Sequence, residues 1–281
     1  MQVIAQAAPC AALVRDVDLR RVDQAQVAAL REHWLAHLVL AFPEQNLQLE
    51  DLERFAGLIG PFGNDPFFKS VHGHPHVAQV RRDADEKTRI FAESWHSDWS
   101  FLPQPPAATL LYCNNIPPLG GDTLFANQYA AWDALPAALR GRVGGRLGIH
   151  SARRGYSRHG MYGENDRGRS MAIKFSDSAL ATQTHPIARV HSETGRTALY
   201  VSPGYTIGIE GMADEEAAAL LAELFAHQAR AEFVYRHQWS RGMLLMWDKR
   251  CMVHAATGGY DGHQRLLHRS TVAEAAAVAL A

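Results

Sequence analysis

The chain is poor in cysteine. Its three, Cys10, Cys113 and Cys251, are odd in number and widely spaced, which fits neither a disulfide framework nor a zinc knuckle. We expect buried thiols in a reducing compartment. Long apolar runs are also missing, since no stretch approaches the ~18 consecutive apolar residues of a membrane span. The opening MQVIAQAAPC lacks a basic start ahead of an apolar segment, so the expected location is the cytoplasm. Charge of one sign is not in excess either: 28 Lys and Arg stand against 29 Asp and Glu, a formal charge of −1 that gives no reason to expect nucleic acid or a membrane as partner. Repeats, low-complexity tracts and linkers are absent, and residues 1–281 are read as one domain. With 47% hydrophobic and 20% charged residues, the chain can build a sizeable core, and a small molecule is the default partner.

Two helices are expected first. Val22, Val27, Leu30, Trp34 and Leu38 recur at helical spacing with Asp23 as a plausible N-cap, and LEDLERFAGLI (49–59) runs to a stop at Gly60 and Pro61. Between them VLAFPEQ reads as a short strand closed by Pro43. Strands are expected at 107–113, 123–126, 197–202, 243–248 and 267–273. Helical pattern covers 127–139, and 213–229 with Asp214 as cap. The segments 64–94 and 141–170 show no sustained period and read as loops, the first a possible lid. Helices first, then scattered strands, indicate a mainly β protein, a barrel or sandwich braced by helices.

Three stretches carry chemistry. In ESWHSDWSF (93–101), residues two apart project to one side of an extended chain, so His96 and Asp98 can face one centre. Imidazole and carboxylate are two thirds of the facial triad that leaves open positions on Fe(II), although His-x-Asp alone is weak evidence. His254 follows a strong strand, and Arg265 lies 11 residues later beyond a glycine-containing turn; an antiparallel neighbouring strand would return it to the same cavity. A buried guanidinium there suits a bidentate carboxylate and implies an anionic co-substrate. In PPLGGDTLFAN (117–127) the paired glycines permit a tight turn, and Thr123 offers a hydroxyl that either helps hold that carboxylate or merely packs.

WHSD (95–98), PPLGGDTLFAN (117–127) and the His254, Arg265, Arg269 series together resemble the taurine dioxygenase and 2,4-dichlorophenoxyacetate dioxygenase (TauD/TfdA) family. Thr123 stands 27 residues after His96, and the arginines stand 11 and 15 after His254. The likeness extends to the helical segment REHWLAHLVLAFPEQNLQLEDLERFAGLIGPFG and so spans nearly the whole chain. The resemblance implies a double-stranded β-helix (jelly-roll, cupin-like) core, Fe(II) held by His96, Asp98 and His254, and 2-oxoglutarate and O₂ as co-substrates, with Thr123 and Arg265 gripping the distal carboxylate. It implies oxidation of a small organic substrate with release of succinate and CO₂, and the family's frequent dimers or tetramers make a homo-oligomer an expectation.

Arg269 matches the family arginine that contacts an anionic substrate group; its alternative is a structural ion pair at a strand end. The chain departs from taurine dioxygenases at NDPFF (64–68), where Phe67 and Phe68 replace a histidine-containing segment and cannot donate to a sulfonate. With Trp99 and Phe101 they are candidates for an apolar pocket, so the expected substrate is an amphiphilic anion of the aryloxyalkanoate, sulfonate or sulfate ester class. HGHPH (72–76) reads as a surface loop without metal, and His263 and His268 as neighbours of the arginines. Two rivals remain. A zinc hydrolase could use the same three ligands but has no use for a second carboxylate grip, and a non-catalytic jelly-roll sensor would be expected to have lost one of them.

Overall fold

The computed structural model describes residues 1–274. The chain opens with two strands, β1 (Gln2–Ala5) and β2 (Ala12–Arg15). Helix α1 (Gln24–His37) follows, closed at its start by a capping box in which Asp23 and Gln26 exchange side-chain and backbone bonds. Strand β3 (Val39–Phe42) and helix α2 (Leu49–Ile59) come next, and the helix ends at Gly60. Strands β4 (Ser70–Val71), β5 (His74–Arg82), β6 (Ala108–Asn115) and β7 (Thr123–Asn127) lead to the short helices α3 (Gln128–Asp133) and α4 (Ala137–Val143). Then come β8 (Leu147–Ser151), α5 (Arg153–Tyr156), β9 (Thr182–Pro186), β10 (Ala188–Val190), β11 (Thr197–Leu199) and β12 (Thr206–Ile209). Helix α6 (Asp214–Gln228) and strands β13 (Val234–His237), β14 (Leu244–Asp248), β15 (Met252–Ala256) and β16 (Arg265–Val272) complete the order.

Eight strands form one sheet in the order β1-β2-β3-β14-β6-β16-β5-β4, and smaller sheets β13-β7-β15, β12-β8-β9 and β10-β11 complete a jelly-roll. The large sheet is covered on both faces, which explains why VLAF, ATLLYC and LLMWD are continuous apolar runs rather than alternating ones. Leu40, Phe42, Leu110, Tyr112, Leu244 and Met246 pack with Trp34 of α1 and Phe55 of α2. Their alternates Val39, Ala41, Leu111, Cys113, Leu245 and Trp247 pack inward with Phe125 of β7 and Met252 of β15. Burying a large side chain on either face contributes about 1.5–3 kcal/mol, so neither face tolerates a polar substitution. The cysteines are buried free thiols, as expected.

Both segments read as loops contain strands. β4 and β5 lie within 64–94, and β8 and α5 within 141–170. The polar residues of β5 are accounted for by partners: the Glu53 carboxylate lies 3.1 Å from His74, and His76 stacks on Phe62 at 3.8 Å. HGHPH therefore runs into an edge-side strand rather than a loop, and His74 and His76 serve hydrogen bonding and packing while His72 is exposed. Asp214 is the first residue of α6, not its cap; Ala213 occupies that position without a side-chain bond.

Candidate active site

The middle of β15 meets a short extended segment ahead of β6. His96 forms an isolated antiparallel bridge with His254, through His96 N–H to His254 O at 3.0 Å and His254 N–H to His96 O at 2.8 Å. This brings the two imidazoles to 4.2 Å between centroids. A close approach makes it possible: a Cβ on Gly204 would lie 2.9 Å from the Cβ of His96. The chain turns immediately afterwards, with Trp99 in the left-handed region at φ 57°. That conformation is costly for an aromatic residue. It is held by the indole N–H donating to Asp65 at 2.6 Å.

His96 Nδ1–H donates to the Ser94 carbonyl at 2.8 Å, leaving the Nε2 lone pair for the cavity. His96 Nε2 lies 3.3 Å from Asp98 Oδ1, and His254 Nε2 lies 3.8 Å from Asp98 Oδ2. A single first-row ion with bonds of about 2.0–2.2 Å can span such separations. Burial alone would raise the Asp98 carboxyl, but Arg269, Lys249 and His254 together hold it well below the usual carboxylate range. Burial, reinforced by His96, pushes His254 well below the ordinary histidine value and keeps it a neutral imidazole. One carboxylate with two imidazoles is the donor set for a divalent ion at a site with open positions.

Asp98 Oδ2 accepts from Thr109 Oγ1 at 3.1 Å and faces two cationic groups, Arg269 Nη1 at 3.1 Å and Lys249 Nζ at 3.6 Å. Oδ1 is the oxygen left to a metal. Lys249 is fully buried, and burial brings its ammonium down to about 7. The sequence reading passed over Lys249 and Thr109, although a lysine directly after LLMWD was an unusual charge at the end of a buried strand.

A second group, His191, Asp248 and Cys251, also gathers ligand-type atoms. Arg250 holds Asp248 through two bonds of 2.9 and 2.6 Å, His191 Nε2 lies 3.0 Å from the same carboxylate, and His191 Nδ1 accepts from the N–H groups of Glu193 and Thr194. Every coordinating atom of the acid and imidazole is already committed, so this group is a structural network.

Two adjoining cavities share Phe91, Ala92 and His96. The inner one is also lined by Asp98, Thr123, Trp247, His254, Arg265 and Arg269. Strands β15 and β16 do not pair with each other: β15 pairs with β7 and β16 with β6 and β5, so Arg265 reaches the cavity from the opposite sheet rather than from a neighbouring strand. Its guanidinium is buried and, among the described residues, has neither an acid within salt-bridge distance nor any hydrogen-bond acceptor. The Thr123 hydroxyl accepts from the Trp239 indole at 3.0 Å, which leaves its own proton to donate into the cavity. Gly120 lets the Thr123 turn close: at φ 72°, a Cβ there would come within 2.6 Å of the Gly258 carbonyl.

The other arginine has its charge matched, although its Nε finds no acceptor among the described residues. Arg269 binds Asp98, lies 3.3 Å from both Asp65 Oδ1 and Thr271 Oγ1, and rests over Phe68 and Trp99 at 5.3 and 5.2 Å. Of its two readings, the structural ion pair is the one the geometry displays. Phe67, Phe68, Trp99 and Phe101 form a buried aromatic cluster with Tyr156 and Tyr205. They line neither cavity. Phe67 stacks on Tyr156 at 4.5 Å, and Phe101 meets Tyr205 at 5.0 Å. The tyrosines thus form the wall, backed by the phenylalanines, a layering that one sequence cannot display because the tyrosines come from distant segments. The outer cavity is completed by Ser94, Arg154, Gly155, Met161, Tyr162, Pro203 and Gly204. His263 is exposed, and His268 faces away toward Asn114 and Gln79. Neither histidine serves the site.

A jelly-roll with two histidines and one carboxylate at its mouth, beside a buried arginine awaiting a carboxylate, defines the class of mononuclear non-haem iron oxygenases that take an oxoacid co-substrate. The family model described as "Taurine catabolism dioxygenase TauD, TfdA family" matches residues 4–271, and the chain belongs to that family. It is 33% identical to the alpha-ketoglutarate-dependent 2,4-dichlorophenoxyacetate dioxygenase of Cupriavidus pinatubonensis, over 95% of this chain and 96% of that protein. It is 30% identical to the alpha-ketoglutarate-dependent sulfate ester dioxygenase of Pseudomonas putida, over 90% and 82%. A solved taurine dioxygenase from Burkholderia xenovorans superposes with a TM-score of 0.80 at 32% identity, covering 98% of this chain and 91% of that one. The protein is an Fe(II)- and 2-oxoglutarate-dependent dioxygenase acting on a small molecule. Among the described residues no helix is long and apolar enough to cross a membrane.

Proposed function

We propose that His96, Asp98 and His254 hold the Fe(II), that Arg265 and Thr123 take the distal carboxylate of 2-oxoglutarate, and that the substrate is a small amphiphilic anion of the aryloxyalkanoate, sulfonate or sulfate ester class. The relatives' activities span those classes. The observation that carries the co-substrate assignment is Arg265: a buried guanidinium without an acceptor is costly, and a carboxylate of the ligand supplies the missing partner. The bound iron with 2-oxoglutarate supplies the oxidising chemistry, in which O₂ converts 2-oxoglutarate to succinate and CO₂ and oxidises a substrate C–H bond.

The protein's own part is placement and exclusion of water. Ser94 fixes the tautomer of His96, while Thr109, Lys249 and Arg269 hold Asp98 by Oδ2 so that Oδ1 faces the open site. Tyr156, Tyr205 and Phe91 give the neighbouring cavity apolar walls for the substrate body. The buried Glu86 ties its own segment to the one carrying Ser170, bonding Arg82 at the end of β5 at 3.2 Å and accepting from the Ser170 N–H at 2.8 Å. The whole chain is read as one cytoplasmic domain whose homo-oligomer would be a dimer or tetramer. Anaerobic addition of Fe(II) and 2-oxoglutarate should give the weak visible band of the chelate, and O₂ should then yield succinate. A correctly folded protein that gives neither band nor succinate would overturn the iron site and leave the zinc or sensor readings.

A further inference from the structure

Around the two cavities, two arginines have no carboxylate within salt-bridge distance among the described residues: Arg265 in the inner cavity and Arg154 in the outer one. If Arg265 takes 2-oxoglutarate, Arg154 is the cation left over. It is the only arginine, lysine or acid among the side chains lining the outer cavity. Its position is built rather than loose: Nη1 donates to the Pro203 carbonyl at 2.8 Å and to the Thr206 carbonyl at 3.2 Å. These bonds clamp α5 to the segment that also supplies Gly204 and Tyr205, and they leave Nε and Nη2 free to donate. Arg154 is exposed while His96 is 6% exposed, so the arginine stands at the lip and the histidine at the floor. Phe91, Tyr156, Tyr162 and Tyr205 line the space with aromatic surface, and no acid lines it to repel an anion.

Resting on the reading of the site above, we propose that Arg154 is the substrate's anion anchor, in place of the internally neutralised Arg269. The substrate then enters with its apolar or aromatic body directed toward His96 and its carboxylate, sulfonate or sulfate held at the lip. A chemical consequence follows from that polarity. The carbon oxidised is at the apolar end, separated from the acid by the length of the body, and is not the carbon bearing the acid group. The C–H there becomes C–OH with one oxygen atom of O₂, the other entering succinate as 2-oxoglutarate loses CO₂.

The test uses the anaerobic Fe(II)–2-oxoglutarate enzyme and calorimetric titration with a series of ω-phenylalkanoates of two to six methylenes, their carboxamides and the corresponding phenylalkylamines. The wild type should bind its best acid about tenfold tighter than the matching amide, the worth of one charge-assisted bond. Arg154→Gln should erase that preference while still binding the amide, which shows that the cavity is intact, and Arg154→Glu should favour the amine. Aerobic turnover of 4-phenylbutanoate should give the benzylic alcohol. Retention of the acid preference in both variants, absence of any acid preference in the wild type, or oxidation next to the carboxylate would each overturn the proposal. Loss of the wild type's chelate band and succinate would instead overturn the iron and 2-oxoglutarate assignment, since calorimetry reads acid against amide without either.

Discussion

Arg265 is buried with burial opposing its charge, and only Tyr260, Cys113 and Asp122 lie on the other side of the balance. Such a residue costs stability until a ligand supplies the counter-charge. Arg265→Met should therefore raise the melting temperature of the ligand-free protein, abolish the stabilisation that 2-oxoglutarate gives with the metal, and raise the apparent KM for 2-oxoglutarate by an order of magnitude or more; the losses follow from a missing charge-assisted pair worth about 1.5–3 kcal/mol. An unchanged KM would place the co-substrate elsewhere. Asp98 has the opposite balance: it is one carboxylate facing Arg269 and Lys249. Asp98→Ala should remove Fe(II) binding in equilibrium dialysis and, by leaving two cations buried without their acid, lower thermal stability as well. An Asp98→Asn protein that keeps its fold but loses the metal would separate these two effects.

At the scale of elements, the site depends on segments that never touch substrate. The loop carrying Gly204 lies so close to the His96 segment that a methyl group at 204 would meet the His96 Cβ at 2.9 Å. Gly204→Ala should push His96 away and weaken Fe(II) binding about tenfold or more, with little change in far-ultraviolet circular dichroism; full metal affinity would show that the loop yields instead. Trp239, just beyond β13, orients the Thr123 hydroxyl. Trp239→Phe should raise the apparent KM for 2-oxoglutarate several-fold while leaving metal affinity alone, and a rise as large as that of Arg265→Met would contradict a purely orienting role. The elements most legible in the sequence were those with local signatures, namely α1 with Asp23 as its cap, α2 with its Gly60 stop, and the continuous apolar strands β3, β6 and β14. Strand β5 is mostly polar, and β8 and β9 are both half polar and short, so their partners in space, not their own period, make them strands.

Taken as a whole, the molecule contains histidines whose burial makes stability depend on pH. His150 and His237 are pushed down to about 3 by burial, His150 further by His185 and Arg189. The unfolded chain takes up a proton near pH 6.5 while these native imidazoles remain neutral until about pH 3, so the unfolded state binds more protons throughout that window. Stability is therefore full above pH 6.5 and falls with decreasing pH by ~1.4 kcal/mol per unit for each histidine. His237→Gln should flatten the decline in melting free energy between pH 6 and 4 by about one proton's worth; an unchanged slope would mean that His237 is already charged in the native state. By itself, the sequence determined which residues could hold a metal and a carboxylate, because His96, Asp98, Thr123, His254 and Arg265 stand at spacings that one family shares, and it determined the two-faced apolar strands that force a layered core. Only the tertiary structure decided what each charge is free to do. Arg269 and Arg265 lie four residues apart on one strand, yet the first is neutralised by Asp98 and Asp65 and the second is not, because an arginine's availability depends on carboxylates brought near it from remote segments, and proximity in space is a property that no local pattern contains.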